Sequence, residues 1–152
     1  MKRPRGLTLI EVLLAMIVVS IAALGTTQFR YQAALDARRA DVQILASRTA
    51  LLLLESWRGN NGAAADNPVA NLGSLIGIET SGSGPTLPGG STLLNKYQIT
   101  AGGLTFYATM SWKDPGANFR VLNVILAYHD RGQASSYSEM NKTIQITNYV
   151  NY

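Results

Sequence analysis

The sequence predicts an α+β protein in which a long N-terminal α-helix, transmembrane and then amphipathic, packs against a small antiparallel β-sheet. Three observations support this fold class. No proline interrupts the chain between Arg5 and Pro68, the first part of that stretch is apolar on all sides, and residues 93–152 read as strands, with a clear alternation of apolar and polar side chains from Leu104 to Trp112. The length of 152 residues suits one globular unit and one membrane-crossing element.

The charged residues are few and unevenly distributed. They make up 14% of the chain, against 47% hydrophobic residues, and the formal net charge is +4. Three of the thirteen basic residues, Lys2, Arg3 and Arg5, precede Gly6, and the rest of the chain has ten basic and nine acidic residues. This pattern is typical of a cytoplasmic anchor beside a membrane span, so nucleic acid is not expected among the partners. Because the chain has no cysteine, disulfides, thiolate metal sites, cysteine nucleophiles and a lipoprotein anchor are excluded.

A short basic leader, residues 1–6, precedes an apolar run that predicts a membrane span over residues 7–27. Leu7 to Gly25 contains nineteen residues and one charge, that of Glu11. As a helix this run would extend roughly 28 Å, which is close to the hydrocarbon thickness of a bilayer. The basic leader favours an orientation with the N-terminus in the cytoplasm and the C-terminal part outside it.

Residues 28–58 predict an amphipathic continuation of the same helix. Ala, Leu, Arg and Gln are frequent there, and apolar residues recur with the period of a helix. The predicted apolar stripe consists of Tyr31, Leu35, Val42, Leu45, Leu52 and Leu53. The sequence GNNG at Gly59 to Gly62 predicts the end of the helix.

Residues 59–92 are rich in Gly, Ser and Pro and predict a loop, with one short element around Leu72 to Ile78. Residues 93–152 predict a meander of three or four antiparallel strands. The alternation from Leu104 to Trp112 predicts a strand with one apolar and one polar face, and Asp114 to Gly116 are expected to form the next turn. The apolar face of this sheet is expected to cover the amphipathic helix.

The beginning of the apolar run combines a glycine, a hydroxyl group and a carboxylate. Gly6 ends the basic leader, Thr8 follows, and Glu11 has apolar residues on both sides. A charged carboxylate in lipid costs at least about 2.5 kcal/mol, so Glu11 should have a partner. Cleavage after Gly6 would expose the α-amino group of Leu7, one helical turn from Glu11. In an assembly the amine of one subunit could meet the carboxylate of another.

The stretch Gly6 to Met16, GLTLIEVLLAM, resembles the prepilin N-terminal signature of type IV pilins and type II secretion pseudopilins. The resemblance implies that a membrane peptidase, the prepilin peptidase, cleaves after Gly6, that Leu7 becomes N-methylated, and that Glu11 is needed for adding the subunit to a filament. The continuation to LLLLESWRG at Leu51 to Gly59 resembles minor subunits of the PilV or GspI kind.

The resemblance also implies a structural role without catalysis, cofactor or metal. Its expected partners are the prepilin peptidase, other pilin or pseudopilin subunits, the inner-membrane assembly machinery and, before assembly, membrane lipid. The expected location is the bacterial inner membrane, with an extracytoplasmic C-terminal domain, and then the pilus or pseudopilus. Two features differ from the family pattern: Leu7 stands where phenylalanine is usual, and no disulfide can close the C-terminal loop. The second difference argues against a typical major pilin.

A different class of function remains open from the residues alone. A binding or adhesion module could be held by an uncleaved span or exported after ordinary signal cleavage. Ser20 and Ala22 form a small-x-small cleavage site after the apolar run, although the charge of Glu11 within that run argues against a signal peptide.

Other polar residues suit structural roles better than chemistry. His129 beside Asp130 is the only histidine and has no catalytic constellation around it in the sequence. The pairs Asp66 with Asn67, and Asp114 with Asn118, lack the ligand spacing of a calcium loop and are expected to form turns.

Overall fold

The computed structural model describes residues 8–151. Its contacts divide the chain into two compact units, Met1–Arg38 and Arg39–Tyr152, and one long helix, α1 (Leu9–Gly59), contributes to both. The second unit also contains a short helix and five strands: α2 (Pro68–Leu72), β1 (Gly77–Thr80), β2 (Thr92–Ala101), β3 (Leu104–Gly116), β4 (Phe119–Tyr128) and β5 (Lys142–Asn151), with a 3₁₀ turn at Tyr137–Glu139. The predicted α+β class is confirmed.

In the first unit, the apolar side chains of α1 lie on its surface. The exposed fractions of the large apolar side chains from Leu9 to Tyr31 range from 42% at Val12 to 82% at Leu9. The most apolar window of 18 residues has a mean hydropathy of 2.4 and no buried residue, so by length and composition this helix could cross a membrane. A helix that exposes this much apolar surface needs lipid or protein neighbours.

The C-terminal end of α1 is a Schellman motif. The N–H of Asn61 donates to the carbonyl of Arg58 at 2.9 Å, and the N–H of Gly62 donates to the carbonyl of Trp57 at 3.0 Å. Asn61 has the left-handed φ of 54° that this motif requires one residue beyond the cap. The helix therefore ends at Gly59, as the GNNG sequence predicts.

In the second unit, α1 packs against one face of the sheet. The residues that it buries are Val42, Ala46, Thr49, Ala50, Leu53, Leu54 and Trp57. Val42 and Leu53 belong to the predicted stripe, but Tyr31 from that stripe is 64% exposed. Ala46 and Ala50 are completely buried, because their small side chains allow the helix backbone to approach the strands closely.

The sheet is an antiparallel meander with the strand order β1-β2-β3-β4-β5. It has one strand more than the three or four expected, because β1 lies inside the region predicted as a loop. Gly102 and Gly103, with φ of 56° and 76°, form a two-residue turn between β2 and β3, as a type I′ hairpin demands. A Cβ atom on Gly102 would lie 2.9 Å from Cδ2 of Leu45 on α1, so this turn also contacts the helix.

The turn between β3 and β4 lies further along the chain than the sequence indicated. Asp114 to Gly116 belong to β3, and the strands are joined at Ala117 and Asn118, where Asn118 has a φ of 90°. The expected turn at Asp114 to Gly116 is therefore wrong. Asp114 instead forms an ion pair with Arg120 across the hairpin, with 2.7 Å between Oδ1 and Nε.

The face of the sheet that points away from α1 is covered by two connecting segments, residues 81–91 and residues 129–141. The hydroxyl of Thr109 donates to the carbonyl of Pro85 at 2.8 Å, and the ring of Tyr137 meets that of Tyr107 edge-on at 5.7 Å. The predicted alternation along β3 is present, but Tyr107 and Thr109 on its polar face are 5% and 0% exposed. The loops thus replace solvent on that face.

Candidate functional site at the beginning of the long helix

Thr8 and Glu11 cap the N-terminus of α1. The backbone N–H and the hydroxyl of Thr8 both donate to Oε2 of Glu11, at 2.8 and 2.9 Å. The N–H of Glu11 lies 3.4 Å from the Thr8 hydroxyl oxygen, in the reverse direction. This is a capping box, in which Thr8 is the N-cap residue and Glu11 stands three residues later. It gives partners to N–H groups that the first turn of a helix leaves unpaired.

The sequence contains the pattern for this cap, T-x-x-E before an apolar run. The carboxylate has a local role because it orders the first turn of the helix in which it lies. It also lies next to the positive end of the helix dipole, which favours an anion there. A group held in this way has a defined position.

The surface around Glu11 is apolar and partly made of small side chains. Glu11 shares a shallow groove on the helix with Val12, Ala15, Met16, Val19 and Ser20. The hydroxyl of Ser20 donates to the carbonyl of Met16 at 2.8 Å, so it needs no partner from outside. Small side chains and internally paired hydroxyls allow close packing of helices in an apolar environment.

The two other predicted site residues, Gly6 and Leu7, lie outside the described residues. Of the three positions expected to act together, the structure therefore describes Glu11.

His129 and Asp130 both take part in local hydrogen bonds at the loop between β4 and β5. Nδ1 of His129 accepts a hydrogen bond from the N–H of Arg131 at 3.3 Å. The side-chain amide of Asn141 donates to Asp130 at 2.8 Å and its oxygen accepts from the Asp130 N–H at 3.1 Å. The hydrogen bond from Asn141 lowers the pKa of the Asp130 carboxyl, with the nearby His129 and Arg131 charges acting in the same direction. These bonds close the base of the loop between β4 and β5.

The carboxylates considered as calcium ligands have protein partners. Oδ1 of Asp66 accepts from the amides of Asn60 and Asn71, at 2.6 and 3.2 Å, which ties the end of α1 to α2. Asp114 is bonded through both oxygens to Arg120. Within residues 8–151, no group of three or more His, Cys, Asp or Glu side chains could hold a metal ion.

Comparison with known proteins concerns the N-terminal region that contains the capped helix. A family model described as the prokaryotic N-terminal methylation motif matches residues 1–27. Searches of curated proteins and of solved structures found no match. The matched region includes Gly6, Leu7 and Glu11 and extends through the exposed apolar part of α1. The chain thus carries the prokaryotic N-terminal methylation motif at the beginning of a long helix whose later part packs on an antiparallel sheet.

Proposed function

We propose that the chain is a minor subunit of a type IV pilus or of a type II secretion pseudopilus, of the PilV or GspI kind. It is cut after Gly6 by the prepilin peptidase and joins the filament through α1. The observation that carries this proposal is the position of Glu11: a carboxylate fixed in the first turn of a helix whose next eighteen residues, Val12 to Phe29, carry no charge and expose their large apolar side chains. The role is structural, and no catalytic step is assigned to the chain.

Processing removes the basic leader. Lys2, Arg3 and Arg5 hold the N-terminus of the precursor on the cytoplasmic side of the inner membrane, while the unit with the sheet lies outside. Once the bond after Gly6 is cut, the new N-terminus is the amine of Leu7. With or without one methyl group this amine is a cation near neutral pH, since an α-amino group has a pKa of about 8.

Assembly moves Glu11 from the cytoplasmic boundary of the membrane into contact with neighbouring helices. A carboxylate offers about four lone-pair sites, and the two bonds from Thr8 both fall on Oε2. The Leu7 amine of an adjacent subunit can therefore bind the carboxylate while the cap stays intact. Removing one partner of a buried ion pair costs about 3–5 kcal/mol, which is enough to exclude a subunit that lacks the charge.

The decisive experiment separates the charge of Glu11 from its capping role. Glu11→Gln keeps a side chain that can cap the helix but has no charge, whereas Thr8→Val keeps the charge and loses the hydroxyl. We expect Glu11→Gln to be cleaved normally and to fall at least about 100-fold in filament incorporation. The decrease in filament incorporation should be much smaller for Thr8→Val. Thr8→Ser, which retains the hydroxyl, is the matched control.

The opposite ranking would refute the pairing role. If Glu11→Gln enters filaments like the wild type, the negative charge is not required. If Thr8→Val and Glu11→Gln lose incorporation equally while Thr8→Ser does not, the cap and not the ion pair is the functional feature. Cleavage is monitored in each variant, because incorporation has meaning only for processed protein.

A second experiment concerns the cleavage site. A bulky residue in Gly6→Leu should block the peptidase, and the protein should keep its basic leader. Intact mass spectrometry of protein from its native membrane measures this directly. It also separates the alternative of a binding or adhesion module: loss of Met1 to Gly6 with one added methyl supports a pilin, no loss indicates a permanent anchor, and loss through Ala22 indicates an exported module.

A further inference from the structure

Two aromatic rings and a guanidinium follow directly after the apolar run of α1. Phe29 and Tyr31 are 75% and 64% exposed, and Arg30 between them is also exposed. We call these three residues the 29–31 collar. Because consecutive residues of a helix are 100° apart, the collar extends over about 200° of the circumference.

The charges of α1 define a segment of bilayer length. Between Glu11 and Arg30 lie eighteen residues without a charged side chain, from Val12 to Phe29. As a helix these residues extend roughly 27 Å, close to the hydrocarbon thickness of a bacterial inner membrane. The two charges can therefore lie at opposite boundaries of the apolar layer at the same time.

The polar groups just before the collar are paired within the helix. The hydroxyls of Thr26 and Thr27 both donate to the carbonyl of Ala23, at 2.9 Å each. Neither hydroxyl donor is left unpaired in lipid, so this turn can lie in the outer part of the apolar layer. The residues after the collar include Asp36 and Arg38, which belong in water.

We propose that the 29–31 collar binds the headgroup layer of the outer side of the membrane and sets the depth of the helix before assembly. Tyrosine and other aromatic rings favour the level between headgroups and chains. Arg30 donates its N–H groups to lipid phosphate, and its long side chain reaches that layer from the edge of the apolar region. In this register Glu11 lies at the cytoplasmic boundary, where its carboxylate and cap remain next to water.

This inference rests on the insertion and orientation proposed above. It goes beyond them because it assigns a lipid-binding role to three residues outside the matched motif, which ends at residue 27. It also predicts where the chain leaves the membrane: between Gln28 and Gln32, and not at Gly25.

The natural absence of cysteine gives a direct test. Single cysteines are introduced into the full chain by Gly25→Cys, Gln28→Cys and Gln32→Cys, in cells that lack the assembly machinery. Spheroplasts are then treated with a membrane-impermeant maleimide. We expect Gln32→Cys to react at least about tenfold faster than Gly25→Cys, with Gln28→Cys close to Gly25→Cys. Equal rates at positions 25 and 32 would overturn the proposed register, and so would protection of all three.

The collar itself is tested by substituting its members in the same single-cysteine chains. Phe29→Ala combined with Arg30→Gln and Tyr31→Ala should change the reaction rate of Gln28→Cys or Gln32→Cys by about threefold or more, because the helix is no longer held at one depth. An unchanged profile would show that the collar does not set the depth. The matched control is Ala33→Ser with Ala34→Ser, which should leave the profile unaltered. The assay uses unassembled protein, so failure of the Glu11 pairing does not affect it.

Discussion

Replacement of Arg120 by methionine should destabilise the second unit by about 3 kcal/mol. The guanidinium of Arg120 donates to both oxygens of Asp114, at 2.7 and 2.8 Å, and to the carbonyl of Gly62 at 2.8 Å. It also lies 4.0 Å from the centre of the Trp112 ring. The residue thus connects the turn that follows α1 with the hairpin between β3 and β4.

The magnitude follows from how exposed each partner remains. The Asp114 side chain is 28% exposed against 11% for Arg120, so water can partly replace the lost ion pair and the loss there is about 1 kcal/mol. The bond from a charged donor to Gly62 adds about 1.5 kcal/mol, and the contact with Trp112 adds about 1 kcal/mol. Methionine retains part of the packing of the arginine side chain, so the expected total loss of stability is about 3 kcal/mol.

The measurement is thermal unfolding of the full chain in detergent micelles, followed by near-ultraviolet circular dichroism. A loss of this size corresponds to a decrease in Tm of about 10 °C. Arg58→Met is the matched control, because Arg58 also pairs with a carboxylate, Glu55, but both side chains are more than half exposed. That variant should lose less than about 0.5 kcal/mol. Equal effects of the two substitutions would refute the assignment of Arg120 as a connecting residue.

Three further predictions use the same unfolding assay. Trp57→Phe should cost about 2 kcal/mol, since it leaves a cavity in the core and removes the indole N–H bond to the Ala63 carbonyl at 2.8 Å; a loss below about 0.5 kcal/mol would contradict this. Gly102→Ala should destabilise the protein by at least about 1 kcal/mol, because the new residue would have a φ of 56° and a Cβ atom 2.9 Å from Leu45. The control Gly82→Ala has open space around it and should cause no such loss of stability. Burial raises the pKa of Tyr97 to about 12, because the folded state disfavours the tyrosinate. The contribution of the neutral Tyr97 to folding stability is therefore fully present below about pH 10 and is lost as the pH rises to about 12. Tyr97→Phe should weaken this alkaline loss, and an unchanged pH profile would contradict the burial of the hydroxyl.

Local sequence determines the ends of α1. The residues that form each cap are close in sequence: Thr8 to Glu11 at the beginning of the helix, and Trp57 to Gly62 at its end. Such features are predictable because donor and acceptor are a few residues apart. The role of Glu11 in an assembly is different, since it depends on a second chain and stays a prediction.

Features that depend on distant parts of the chain were not predictable in the same way. Thr109 lies on the polar face that the alternation along β3 predicts to be exposed. Residues 81–91 nevertheless cover this side chain, and nothing near Thr109 in the sequence indicates this cover. Asp114 next to a proline resembles a turn, but its partner Arg120 keeps it within the hairpin strand. Ala50 looks like a neutral helix residue and is buried only because a strand approaches that face of α1.

The order of the five strands has a consequence for how the domain can form. Each strand pairs with the one that precedes it in the chain, so the sheet can grow by one strand at a time, from the N-terminal side, with no gap to be filled later. A polypeptide that is threaded across a membrane emerges in that same order. Each strand that emerges can therefore pair with the strand before it, which is already outside. Contacts of short sequence separation also favour rapid folding. Under the proposed topology this domain, which has no disulfides, folds beyond the reach of cytoplasmic chaperones, and this strand order suits its delivery across the membrane from the N-terminal side.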